Sequence, residues 1–188
     1  MKYAIFFVLA LGLIAAGATS SFPTANAAGS DPIFMQIPGI DGDVTVIGHE
    51  KEIELNSFQF GASLAVSPIG GGGGASAGKV SLSEIVGTKM MDKSSPLLFQ
   101  KLVTGSHIPK IDIYFVKFNA GAPQTYAHYI LEDVLISSYS VSSGGDLPTE
   151  SISLNFAKIQ FEFTPNNTDG TLGSTIHAGW DLALNKAI

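Results

Sequence analysis

From Ser151 the chain alternates. Ser151-Ile152-Ser153-Leu154-Asn155-Phe156 sets a polar residue before each apolar one, and Ile159-Gln160-Phe161-Glu162-Phe163 resumes the pattern with its parity shifted across Ala157-Lys158. Successive side chains of an extended chain point to opposite faces, so this period specifies strands with one dry and one wet face. The shift in parity predicts a β-bulge. Similar runs lie at 53–66, 79–86, 111–118 and 126–141, separated by clusters of Gly, Pro, Asn and Asp. A set of such strands leaves edges that must be paired or closed, so a mainly antiparallel β-barrel or sandwich is expected.

One segment breaks the period. In Ser95-Pro96-Leu97-Leu98-Phe99-Gln100-Lys101-Leu102-Val103-Thr104-Gly105, Ser95 reads as an N-cap, Pro96 as the first helical residue and Gly105 as the stop. This predicts a single short helix. Leu98, Leu102 and Phe99 share a face, so the helix should lie against a sheet or plug a barrel end.

Composition narrows the function. With 188 residues, 45% hydrophobic and 14% charged, the chain suits one compact domain and not a disordered segment. The net charge is −6 and all ten basic residues are lysine. Without arginine, bidentate contacts to phosphate or guanine are missing, and nucleic acid is not an expected partner. There is no cysteine, hence no disulfide framework, thiolate metal site or cysteine nucleophile.

The amino terminus has the pattern of a secretory leader: Lys2, an apolar run over 4–16, and Ala25-Asn26-Ala27 as a cleavage site. The expected division is a signal peptide at 1–27, cut after Ala27, and one domain at 28–188. The apolar run falls short of the roughly 20 residues that span a bilayer, so no stable membrane insertion is expected. The mature chain should be secreted, passing through a periplasm in transit.

Gly70 to Val80, GGGGGASAGKV, matches two catalytic patterns at once. Gly73 to Lys79 nearly spells a phosphate-binding loop, and Gly74-Ala75-Ser76-Ala77-Gly78 spells a nucleophile elbow. Both need a helix next, and the phosphate loop also needs Ser or Thr after the lysine. Position 80 is Val, and 80–85 reads as a strand. A flexible loop does not preorganise Ser76, and His177 as its base would be a coincidence of composition. Gly70, Gly71, Gly72, Gly73, Gly74 and Gly78 are read instead as an adaptable loop that meets another surface.

Other chemistry is thin. His49, His107, His128 and His177 have no metal-ligand spacing and read as surface or hydrogen-bonded residues. Glu132 and Asp133 are strand neighbours that point apart, so they do not form an acid–base pair. Asp41-Gly42-Asp43 reads as a turn, and Asn166-Asn167-Thr168 is a sequon of little weight. No catalytic, metal-binding or cofactor-binding residue is assigned, and the chain is not expected to be an enzyme.

Several blocks together carry a family resemblance: FMQIPGIDGDV, IELNSFQFGASLAV, the glycine run before Gly78-Lys79-Val80, the K-x-x-D-K-S-S-P that opens the helix, the S-G-G-D-x-x-T-E-x-x-x-L-N-F of 143–156, and the closing AGWDLALN. Over 31–186 the chain resembles the Hcp family, the haemolysin-coregulated tube proteins of type VI secretion. The resemblance implies a two-sheet antiparallel β-barrel with one short α-helix. It implies homohexameric rings with a wide channel, stacked into a tube that is fired outward with small effectors in its lumen. Its partners would be copies of itself, a spike protein, a sheath and the effectors, and the family's extended loop would fall at 67–78. Members of that family are normally made without a cleavable leader. The chain is therefore either a relative exported by the general pathway, acting outside the cytoplasm as a binding or carrier protein, or a tube subunit with an unusual extension.

Overall fold

A computed structural model describes residues 31–67, 76–168 and 170–188. The leader expected at 1–27 and the glycines Gly70 to Gly74 lie outside these residues. The described elements are β1 (Ile33–Gln36), β2 (Ile53–Leu55), β3 (Ser57–Gln59), β4 (Ala62–Ser67), β5 (Ser76–Leu82), β6 (Ile85–Met90), α1 (Ser95–Thr104), β7 (Ile108–Asn119), β8 (Ala122–Ser142), β9 (Thr149–Phe163), β10 (Ile176–Asp181) and β11 (Lys186–Ala187). Nine strands form one antiparallel sheet in the path β11-β10-β9-β8-β7-β1-β2, with β3 joined through β6 to β9. The remaining two, β4 and β5, pair only with each other as a second sheet. Among the described residues the fold is thus mainly β with one helix and two antiparallel sheets, as expected.

β9 is the branch point. One edge pairs with β8 along the strand, while the other pairs with β6 over 149–154 and with β10 over 158–163. The dry face changes parity between the two partners: Ile152, Leu154 and Phe156 are buried on one side of the change and Ile159 on the other. The parity shift is real and lies at Ala157-Lys158, but the β8–β9 register runs unbroken past it. The register slips on β8 instead, between Ile136 and Ser138. Asp133, which falls opposite Ala157 between the Glu132–Lys158 and Val134–Phe156 pairs, takes a φ of 53°.

The sheet curls around a core that includes Met35, Ile53, Ile85, Leu98, Ile111, Ile113, Leu131, Val134, Ile152 and Leu154. Its hydrogen-bonded path is not a closed ring. β2 approaches β6 through a bond from Asn56 N to Thr88 O of 2.7 Å, which brings the two ends together without a continuous ladder. The run expected at 53–66 is divided into β2, β3 and β4, and the run at 79–86 ends at Leu82 where the chain leaves the ribbon and rejoins the main sheet as β6.

The helix follows its signals at the C-terminus. Gly105 adopts φ 58° and its N–H bonds back to Leu102 O, a left-handed cap that glycine enters without a Cβ clash. Leu98 is buried and Leu102 packs on the core, as expected, but Phe99 is exposed and touches the ring of Tyr139. At the N-terminus the cap is Ser94, not Ser95, and no side chain makes the capping bond.

Candidate assembly surfaces and the buried ionic anchor

The displaced cap leads to a buried, fully hydrogen-bonded ionic cluster. Lys89 on β6 and Glu150 on β9 are cross-strand partners, and both side chains are 0% exposed. Lys89 lies on the same strand face as Ile85 and Gly87, and Glu150 on the same face as Ile152 and Leu154. Two opposite charges therefore occupy dry-face positions opposite each other. Lys89 Nζ donates to Glu150 Oε2, to Asp92 Oδ1 and to the carbonyl of Met90, each at 2.8 Å. Ser95 Oγ donates to Glu150 Oε2 at 2.8 Å and accepts from the Asp92 N–H. The hydroxyl that the sequence offers as a cap is thus committed to the sheet. Asp92 takes over the helix start, accepting from both the N–H and the hydroxyl of Ser94. Tyr139 of β8 donates to the other oxygen of Glu150.

This cluster ties the helix to three strands. Burial alone pushes the Asp92 carboxyl up, but hydrogen bonds from Lys89 and Ser94 more than offset it and hold the group below the ordinary aspartate range. Burial and the bond to Glu150 push the Tyr139 phenol up to about 12. Every carboxylate here already has its donors, so the cluster offers no free base or nucleophile. Removing one partner of such a buried pair strands the other charge, which costs about 3–5 kcal/mol.

The β4–β5 ribbon is the opposite kind of region. Its strands pair only with each other, and Leu64 and Val66 are 45% and 58% exposed. The register slips between Leu64 and Val66, which leaves Gly78 and Lys79 opposite Ala65. A Cβ at Gly78 would lie 3.0 Å from the Ala65 carbonyl oxygen, so this glycine permits close backbone approach. Gly78 therefore belongs to a strand and its bulge and not to the loop. Ser76 begins β5, paired with Ser67, and β5 continues through Lys79 to Leu82 with no helix after it. Neither catalytic pattern finds its required setting.

At the root of the ribbon an open apolar groove of about 230 Å³ is lined in part by Phe60, Leu82, Tyr129, Phe161 and Trp180. Tyr129 and Phe161 stack at 4.5 Å between ring centroids. Beyond it, Ile176, Leu184 and Ile188 are exposed near the carboxyl terminus.

The histidines are dispersed. His49 is buried against Glu52 at 2.8 Å, His107 pairs with Asp133 at the surface, and His177 is exposed on β10. His128 lies between Asp112 and Glu162. Glu132 and Asp133 turn to different partners, Lys158 and His107. Asp41 and Asp43 face Lys51 and Lys93. Among the described residues, no group of three or more metal-ligating side chains is placed to hold a metal ion.

Known proteins resemble this architecture. The family profile described as "Type VI secretion system effector, Hcp" matches residues 34–163. The "Protein hcp1" of Pseudomonas aeruginosa is 34% identical over 110 residues, 57% of this chain and 68% of that one. A solved chain described as "Structure of a type six secretion system protein" is 29% identical, covers 85% of this chain and 100% of its own, and superposes with a TM-score of 0.79. Hcp1 from Salmonella typhimurium, 30% identical, covers 84% of this chain and 98% of its own with a TM-score of 0.69. The K-x-x-D-K-S-S-P and T-E blocks that marked the sequence prove to be the two halves of the buried anchor, and with the profile spanning most of the strands around it, the chain belongs to the Hcp family of type VI secretion proteins.

Proposed function

We propose that this Hcp protein is a tube subunit, in which copies close into a homohexameric ring and rings stack into a secreted tube that carries small effectors in its lumen. The observation that carries this reading is the β4–β5 ribbon. A two-stranded hairpin is marginal alone in water, and this one exposes Leu64 and Val66 beside an apolar groove. A heterologous contact, in which one flank of a subunit fits a different flank of the next, uses both features and closes a ring if the rotation permits. Gly70 to Gly74 join the two ribbon strands in sequence, and their role is adaptation on docking. A spike protein, a sheath and the effectors are the further partners of such a tube.

Electron microscopy and light scattering of the full chain test the assembly. Six-fold rings are expected, and a strict monomer from micromolar to millimolar concentration overturns the reading. Catalysis has no place in it: Ser76→Ala and Lys79→Ala should leave assembly unchanged, and ATP should not raise the melting temperature as a tight ligand of the folded state would.

A second reading rests on the leader pattern of Lys2, the apolar run and Ala25-Asn26-Ala27. A chain cut after Ala27 by the general export pathway would act as a carrier outside the cytoplasm, apart from a type VI tube. Intact mass of the secreted product decides between them: a chain starting at Ala28 supports the export route, and one that retains 1–27 removes it.

A further inference from the structure

The sheet face opposite the core carries a row of titratable groups in register across the strands. His177 of β10 faces Glu162 of β9, Glu162 faces His128 of β8, and His128 faces Tyr114 of β7. His128 is the centre of the row, with its side chain 17% exposed. Its Nε2 lies 2.8 Å from Asp112 Oδ1 and its Nδ1 lies 3.2 Å from Glu162 Oε2.

Those two contacts impose a proton count. A neutral imidazole has one N–H and one bare nitrogen, and an ionised carboxylate only accepts. Asp112 Oδ1 also accepts from Lys110 Nζ at 2.9 Å, and that carboxyl is held below the ordinary aspartate range because the His128 and Lys110 bonds more than offset its burial. Nε2 must therefore be a donor. The bond to Glu162 then requires a second proton, on Nδ1 or on the Glu162 carboxyl. With one proton fewer, a bare nitrogen faces a carboxylate oxygen and the contact repels.

We infer that Asp112, His128 and Glu162 form a proton-dependent latch across β7, β8 and β9, closed when the three groups share two protons and opened on the Glu162 side when one is lost. The surroundings favour the closed form. Tyr114 stacks on the His128 ring at 4.5 Å, a face that attracts a cation. His49 packs on the Tyr114 ring at 5.3 Å and is itself bonded to Glu52. The groups facing the latch are thus Lys110, Asp112 and Tyr114 from β7, Glu162 from β9, His177 from β10, and His49 with Glu52 from the segment before β2. The folded chain gives the second proton a carboxylate partner that the unfolded chain lacks. The contact on the Glu162 side therefore ties β8 to β9 only while the second proton is bound. The inference does not depend on ring formation, because all three residues lie within one subunit.

Thermal unfolding of the full chain at one fixed concentration, from about pH 6 to about pH 9, reads the latch clear of ordinary carboxylate titration. The wild-type melting temperature should fall across this range by about 3 °C more than that of His128→Gln. Glu162→Gln, whose amide pairs with a neutral imidazole, should flatten the same slope, while His177→Gln at the exposed end of the row should keep it. Equal slopes in wild type, His128→Gln and Glu162→Gln overturn the latch. If His128→Gln does not fold, NMR of the wild type carrying ¹⁵N-histidine and ¹³C-carboxyl glutamate decides. Protons on both ring nitrogens at the acid end support the latch, as does one ring proton with Glu162 protonated; one ring proton with Glu162 ionised throughout refutes it.

Discussion

The buried anchor and the β4–β5 ribbon are joined by a few residues of chain and obey opposite rules. At the anchor, Lys89 and Glu150 are sealed from water and bonded to groups from β6, β8, β9 and the start of α1, so the geometry is determined within the subunit. Among the described residues the ribbon's strands pair only with each other, and Leu64 and Val66 face solvent. A region that satisfies every polar group internally has nothing left to offer a partner. A region that leaves apolar side chains and a strand edge uncovered is a candidate contact surface.

The sharpest way to break this contrast is to strand a charge. Lys89→Met should destabilise the subunit by about 3–5 kcal/mol, read by chemical denaturation, because Glu150 is left buried without its cation. Adding Glu150→Leu should restore much of the loss, since an apolar pair of similar volume removes the desolvation penalty. A double variant no more stable than Lys89→Met would mean that the anchor's remaining polar groups depend on the pair.

Tyr139→Phe should cost about 1.5–3 kcal/mol, the range for a hydrogen bond to a charged group. A cost near zero would show that Glu150 is satisfied without its third donor. Acid should act at the same place. Asp92 is held below its ordinary value in the fold, so its contribution is present above the unfolded-state value and is lost as pH falls through the folded one. Asp92→Asn should therefore flatten the acid limb of a stability–pH curve.

The ribbon should give the smallest change in subunit stability and the largest in assembly. Leu64→Ser with Val66→Ser should shift denaturation by no more than about 0.5 kcal/mol, the usual range for exposed sites, while lowering the ring fraction in light scattering. Gly78→Val, which brings a side chain against Ala65, should act likewise through the ribbon alone. Unfolding of the whole subunit by either change would show that the ribbon is part of the core.

Much of this architecture is legible in the sequence. The alternation at 151–163 identified β9 and the parity change within it, and the Pro96 to Gly105 signals located the helix. The anchor's residues stand in the K-x-x-D-K-S-S-P and T-E blocks, but their burial is not legible from those blocks alone. A visible signal existed: Lys89 and Glu150 share the parity of the dry residues beside them, Ile85 and Ile152, so each charge interrupts an apolar face. Reading that required knowing that β6 and β9 pair, across 61 residues of sequence. The choice of Ser94 over Ser95 as cap was hidden for the same reason, because Ser95 is claimed by Glu150, 55 residues away.

Local sequence located the long strands and the helix stop, since strand period, helix stop and turn residues act over a few neighbouring positions. It also carried the family, whose blocks are read without knowing what they touch. Tertiary structure decided which charges were buried together, which strand absorbed the bulge, and that His128 stands between two carboxylates from β7 and β9. Those outcomes depend on which strands lie side by side. A strand's period says which way each side chain points, but the distance between two chemical groups is set only when the sheet is assembled.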